Sequence, residues 1–311
     1  MRVLVTGATG FVGSHVARLL ARRGHDVHAL VLAGEEARAT ERLGAERSRI
    51  SLVHGDLLDA RSCRAAVAEL RPEGCLHLAW YADPRDYLSA RVNIDLVGAS
   101  AALGSALDEA GCRRLVMTGT CFEYDTALGY LGESSALAPR HLYSTCKRAL
   151  FDMMGHVVAG TQTSFAWARL FFLYGPHESD GRLVPAVVDA LLAGQRARVT
   201  TGEQYRDFMH VADAAACLVH LLESDVEGPV NVASGVPVRV RDVVHAIARE
   251  LGAEDRVDWG AITARPNDPS FVCADTRKLV ASGAPAPRAL EDGIRDTIAW
   301  RRERAAPRSV Q

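Results

Sequence analysis

In the first half of the chain, short apolar runs alternate with stretches whose apolar residues recur at helical spacing. Val3–Thr6 is an apolar run ending in glycines. Phe11–Arg23 follows, with Phe11, Val12, Val16, Leu19 and Leu20 on one helical face and Gly24 closing it. Further strands are predicted at Val27–Leu32, Ile50–His54, Cys75–Ala79, Arg114–Thr118 and Ser164–Phe172, and helices at Ala60–Leu70, Tyr87–Ala110 and His141–Val158. Strands alternating with helices predict an α/β fold, a doubly wound parallel sheet covered on both faces. Beyond Tyr174 the rhythm loosens. Val184–Ala193, Asp213–Leu222, Val240–Leu251 and Leu290–Arg304 read as helices among Pro-rich stretches, and Ala305–Gln311 is expected to fray. No linker separates the halves. Two lobes that share chain segments are expected: a dinucleotide-binding domain over 1–174 with returning segments near 205–235, and a smaller mixed α/β substrate-binding lobe over 175–204 and 236–311.

Composition narrows the function classes. The 311 residues carry 36 basic and 38 acidic side chains, so a formal charge of −2 provides no global field for nucleic acid or an anionic membrane. Seven scattered cysteines form no CxxC pair, and no metal site or redox motif is indicated. The first strand starts directly after Met1, leaving no room for a signal peptide, and no apolar run approaches membrane-spanning length. A reduced, cytoplasmic protein is expected. Only two of the basic residues are lysines, Lys147 and Lys278.

Thr6-Gly7-Ala8-Thr9-Gly10-Phe11-Val12-Gly13 joins the first strand to the first helix. Glycines there let the backbone turn tightly and approach a pyrophosphate, whose charge the helix N-terminus stabilises. Gly7, Thr9, Gly10, Phe11, Val12 and Gly13 are therefore candidate cofactor contacts. The second strand ends in Ala29-Leu30-Val31-Leu32-Ala33-Gly34 without an acid, and Glu35, Glu36 and Arg38 come late. An absent carboxylate removes the repulsion against a 2′-phosphate and favours NADP(H), although no Arg stands in the usual place to bind that phosphate; NAD remains open.

Tyr143 and Lys147 lie one turn apart on a predicted helix. An ammonium so placed is expected to lower the phenol's pKa and to hydrogen-bond cofactor ribose hydroxyls. In a chain that uses Arg for nearly every positive charge, a lysine here is a selected residue, because a planar guanidinium cannot replace a compact ammonium.

These motifs resemble the extended short-chain dehydrogenase/reductase family, the NAD(P)-dependent nucleotide-sugar epimerases, dehydratases and ketoreductases. The resemblance spans nearly the whole chain and implies the Rossmann form of the sheet. It includes Asp56-Leu57 after the third strand, Leu78-Ala79-Trp80 after the fourth, Asn93, the stretch Arg169 to Pro176, the stretch Arg206 to Asp213, Asn231 to Gly235, and Arg265-Pro266-Asn267-Asp268-Pro269. It implies Asp56, Leu57, Leu78, Ala79, Trp80 and Thr118 as cofactor contacts beside the glycine loop, with Trp80 and Asn93 chiefly in packing roles and Thr118 a hydroxyl at the sheet end. The fifth strand runs into Thr118-Gly119-Thr120-Cys121-Phe122-Glu123-Tyr124, and the family's catalytic hydroxyl falls on Thr120, which completes a catalytic set with Tyr143 and Lys147.

Departures from the family pattern are informative. Sugar-nucleotide 4,6-dehydratases place Asp-Glu directly after the catalytic Thr, whereas Cys121 and Phe122 stand here and Glu123 comes one residue late, pointing away if the strand alternation holds. Dehydration is disfavoured. Cys121 reads as a small residue lining the substrate pocket rather than a reactive thiol. Phe172 replaces an Asn that contacts nucleotide-sugar phosphates in many relatives. Arg206 is the candidate pyrophosphate clamp, with Arg182 and Arg265 as further substrate contacts. His210 reads as a hydrogen-bonded core residue, and Asp83, Arg85, Asp86 and Tyr87 as a solvated loop, with shaping of the sugar pocket as the alternative.

The resemblance implies NADPH-dependent reduction of a nucleotide-linked 4-keto-6-deoxyhexose, with NAD-dependent C4 epimerisation of a nucleotide sugar as the alternative. A non-catalytic dinucleotide sensor is the remote third reading. A homodimer built from the helices at Tyr87–Ala110 and His141–Val158 is expected.

Overall fold

The computed structural model describes residues 1–264 and 268–305. The chain runs β1 (Arg2–Thr6), α1 (Phe11–Arg22), β2 (Asp26–Val31), α2 (Glu36–Leu43), β3 (Ile50–His54), α3 (Ala60–Leu70), β4 (Gly74–His77), α4 (Val92–Glu109) and β5 (Arg114–Thr120). Next come β6 (Tyr130–Leu131), α5 (Leu142–Val157), β7 (Ser164–Leu170), β8 (Phe172–Tyr174), α6 (Leu183–Leu192), β9 (Ala197–Arg198) and β10 (Tyr205–His210). The last third holds α7 (Val211–Glu223), β11 (Gly228–Val232), β12 (Pro237–Arg239), α8 (Val240–Glu250), β13 (Val257–Asp258), β14 (Phe271–Ala274), α9 (Arg277–Ala281) and α10 (Leu290–Ala305).

Seven strands form one parallel sheet in the order β11-β7-β5-β4-β1-β2-β3. The order reverses at β1 and β4, the place where doubly wound sheets open a crevice at their carboxyl edge. Strand alternation splits the core into two layers. Val3 and Val5 of β1 pack with Val16 and Leu20 of α1 and Leu218 of α7, whereas Leu4 between them packs on the other face with Leu107 of α4 and Leu150 of α5.

A second sheet, β12-β10-β14-β6 with β8 beside β10, carries the smaller lobe together with α6, α8 and α10. The expected strand Ser164–Phe172 therefore divides. β7 stays in the large sheet, and after Phe171 the chain crosses to pair β8 with β10. The returning segment near 205–235 divides likewise: β10 belongs to the second sheet, α7 packs on α1, and β11 joins the large sheet beside β7. The helix expected from Tyr87 starts only at Val92, because the Asn93 amide donates to the Tyr87 and Ala90 carbonyls at 2.8 and 2.7 Å and holds the preceding residues in turns. Among the described residues no helix is long and apolar enough to cross a membrane.

Candidate active site

The crevice begins at the glycine loop. Gly7 has φ +69°, and a Cβ there would lie 2.7 Å from the Ala79 nitrogen; a Cβ on Gly13 would lie 2.0 Å from the Gly7 carbonyl oxygen. Only glycine permits this approach of loop, helix and β4. Thr6 locks it from below, its hydroxyl accepting the Leu78 and Ala79 N–H groups at 3.1 Å each and pairing with His77 Nδ1 at 2.8 Å. Those two N–H groups leave the hydroxyl proton for His77 Nδ1, so His77 donates its Nε2 proton to Ser100 Oγ at 2.9 Å. Burial holds the imidazole neutral, with its pKa pulled down to about 3. No side chain caps α1 at Gly10, so the first N–H groups of the helix, from Phe11, Val12 and Gly13, point at the loop mouth as an anion cradle. Leu57 is buried and Asp56 exposed at the end of β3, where the Asp56 carboxylate accepts the Leu58 N–H at 2.9 Å.

The second-strand end corrects the sequence expectation. Glu35 follows Gly34, whose φ of +88° turns the chain back, and its carboxylate accepts the Thr9 hydroxyl at 3.3 Å and Arg38 at 2.9 Å. The acid that comes late in the sequence after β2 is therefore brought back to the glycine loop by the fold.

Thr120, Tyr143 and Lys147 converge. Thr120 ends β5 and caps the short turn Cys121–Glu123, accepting the Phe122 N–H at 3.3 Å, and its hydroxyl neighbours the Tyr143 phenol, where it favours the charged form. Lys147 is 3% exposed; its ammonium donates to the Thr118 carbonyl at 2.8 Å and lies 3.7 Å from the centre of the Trp80 ring. Thr118 thus serves through its carbonyl, while its hydroxyl turns to the His77 carbonyl at 3.4 Å. Two further expectations change here. Burial pushes the Tyr143 phenol above its ordinary value and Tyr87 adds to the rise, so the phenol ends above that value rather than below it. Trp80 is also more than packing, since it faces the ammonium.

Glu123 is not available for acid–base work. The strand ends before it, and the turn sends its carboxylate into the core, where it accepts Thr120 N at 2.8 Å, Trp167 Nε1 at 3.0 Å and Arg169 Nε at 2.8 Å. Cys121 is 2% exposed beside Thr120, and burial pushes its thiol up to about 12, which leaves it unreactive.

The sequence profile of the NAD dependent epimerase/dehydratase family matches residues 3–233. The chain belongs to that family. Its sequence is 30% identical over 265 residues to the 3-diazoavenalumate denitrifying reductase of a Streptomyces species, covering 81% of this chain and 82% of the relative. It is 24% identical over 275 residues to the dTDP-6-deoxy-L-talose 4-dehydrogenase (NAD(+)) of Aggregatibacter actinomycetemcomitans, covering 86% and 97%. The solved structure of MoeE5 in complex with UDP-glucose and NAD superimposes with a TM-score of 0.83 at 27% identity, covering 98% of this chain and all of the other. Like its relatives, the chain is an enzyme of the NAD(P)-dependent oxidoreductase type.

The substrate side of this family member is less uniform than the sequence suggested. Arg206 is buried, donating to the Tyr205 carbonyl at 2.7 Å and to Asp268 at 2.7 Å, with its guanidinium over the Phe172 ring. A diphosphate would have to compete with Asp268 for it. Arg182 forms no ion pair among the described residues and sits over the Tyr87 ring at 4.8 Å, while Tyr87 meets the Tyr143 ring edge-on at 5.2 Å. Arg265 lies outside the described residues. His210 is a core residue as expected, accepting the Ala212 N–H at 3.3 Å at the start of α7. Tyr87, read from sequence as part of a solvated loop, is a wall of the site. Its aromatic character in a segment after β4 was the available signal, since ligands gather at that edge.

Proposed function

We propose that the protein transfers a hydride, without elimination, between a nicotinamide dinucleotide and an oxygen-bearing carbon of a nucleotide-linked sugar, and that the reaction is reduction of a 4-keto-6-deoxyhexose. The observation that carries this reading is the convergence of Thr120, Tyr143 and buried Lys147 around Trp80, in a site where the Glu123 carboxylate is consumed by Arg169. The name of the talose relative couples a 4-dehydrogenase to NAD(+) and a dTDP-6-deoxysugar, which supports the same chemistry here.

When bound, the nicotinamide supplies the hydride. Thr120 hydrogen-bonds the substrate oxygen, Tyr143 delivers its phenolic proton to that oxygen as charge develops there, and Lys147 holds its ammonium one turn away, in reach of the cofactor ribose. Burial keeps the Tyr143 phenol protonated, the form that a reduction needs in its proton donor. The glycine loop and the N-terminus of α1 would hold the cofactor's pyrophosphate.

The cofactor reading favours NAD(H) over NADP(H). Glu35 presents a carboxylate at Thr9, where it can accept ribose hydroxyls and repel a 2′-phosphate. Measured dissociation constants should favour NADH in the wild type, and Glu35→Ala should narrow the ratio to NADPH; an unchanged ratio removes Glu35 from cofactor choice.

C4 epimerisation is the second reading, favoured by membership of a family named for NAD dependent epimerases and dehydratases. Incubation with a nucleotide-linked 4-keto-6-deoxyhexose and NADH separates the two. Reduction consumes NADH mole for mole with product, whereas an epimerase inverts the corresponding 4-hydroxy sugar with no net change in cofactor absorbance. A homodimer through α4 and α5 belongs to the same proposal; Ile94 and Met153 are exposed apolar side chains on those helices.

A further inference from the structure

We propose that Trp80 is a positioning residue for Lys147: its indole face holds the ammonium beside Tyr143, and Asn93 on α4 fixes the indole. The inference deepens the proposed function, because it assigns Lys147 to the nicotinamide reaction, yet its test reads Lys147 directly.

Three contacts carry it. The Lys147 ammonium lies 3.7 Å from the Trp80 ring centre, well inside the range in which an indole attracts a cation. The indole N–H donates to Asn93 Oδ1 at 2.7 Å, and the Asn93 amide is committed to the Tyr87 and Ala90 carbonyls. Neither ring nor amide can rotate without breaking a hydrogen bond in a buried place. The indole also meets the Tyr143 ring edge-on at 6.4 Å, so one side chain borders both members of the catalytic pair.

Such a platform answers a physical need. Lys147 donates to one carbonyl, Thr118, and has no carboxylate within ion-pair distance among the described residues. Burial pulls its pKa down to about 7, opposed by the more distant charge of Glu123. The titratable groups facing it are Tyr143 on its own helix, His77 on β4, which is held neutral, and Glu123 in the turn after β5, which is neutralised by Arg169. The negative face of the indole adds attraction at close range to the more distant pull of Glu123.

With only two lysines in the chain, isotope-labelled lysine yields two side-chain signals in the full-length protein, and Lys278→Arg identifies that of Lys147. The pH titration of the Lys147 signal is followed in wild type, Trp80→Leu and Trp80→Phe, with the Lys278 signal and the thermal melt as folding controls. The expected result is a Lys147 pKa lower by about one pH unit in Trp80→Leu and by a smaller step in Trp80→Phe, which keeps a weaker aromatic face. In steady-state assays the alkaline fall in kcat should move down by the same step. An unchanged or raised pKa in a folded variant overturns the inference, and if Trp80→Leu does not fold, Trp80→Phe decides alone. Failure of NADH to bind the wild-type protein, by contrast, would overturn the proposed function and leave the Lys147 titration standing.

Discussion

The Glu123 carboxylate lies 2.8 Å from the Arg169 guanidinium, with both side chains sealed from water immediately behind Thr120. The pair also binds the Thr120 backbone, the Trp167 indole and the Tyr124 hydroxyl, so it anchors the turn that presents Thr120. Removing one partner strands the other as a buried charge. Glu123→Ala is expected to lower unfolding free energy by about 3–5 kcal/mol in urea titrations, and Glu123→Gln by less. A catalytic base would behave otherwise, losing turnover with its stability intact.

Tyr143→Phe removes the proposed proton donor while keeping the ring between Trp80 and Tyr87. Turnover should fall roughly 10²- to 10⁴-fold with NADH affinity little changed. Fluorescence titration of NADH alongside the rate measurement checks both parts, and a variant that keeps its rate ends the assignment of Tyr143.

Gly13→Ala tests the glycine loop. The added methyl would sit 2.0 Å from the Gly7 carbonyl oxygen, which is backbone and cannot swing aside. The loop must shift, at about 1–3 kcal/mol. The stabilisation that NAD⁺ confers in a thermal melt should shrink or vanish in this variant.

Glu178 predicts a pH dependence of stability. Its side chain is buried, its Oε2 has no hydrogen-bond partner among the described residues, and burial pushes the carboxyl from 4.5 up to about 8. Between those values the unfolded chain has already released a proton that the folded chain still holds. The favourable contribution is complete below the unfolded pKa and is lost as pH rises through about 8. Glu178→Gln, neutral throughout, should gain stability over the wild type by at least ~1 kcal/mol as pH is raised across this window. Parallel denaturation curves at the two ends of the window would show it, and equal differences at both would refute it.

Local pattern alone determined the alternation of β1 to β5 with their helices, the glycine loop after β1, and the one-turn spacing of Tyr143 and Lys147. Each of these is written within a few consecutive residues, through strand and helix periodicity and through glycine's backbone freedom. The family followed from several such motifs in order.

Tertiary structure decided which atoms those side chains address. Glu35 turns back to Thr9, Glu123 drops inward to Arg169, Arg206 is claimed by Asp268, and Trp80 slides under Lys147. The second sheet escaped a pattern reading because it assembles short strands, two to six residues each, from distant stretches of chain. Hydrogen-bond partners, ion pairs and loss of water depend on groups that meet only once the chain is folded. Periodicity along the backbone carries no record of them.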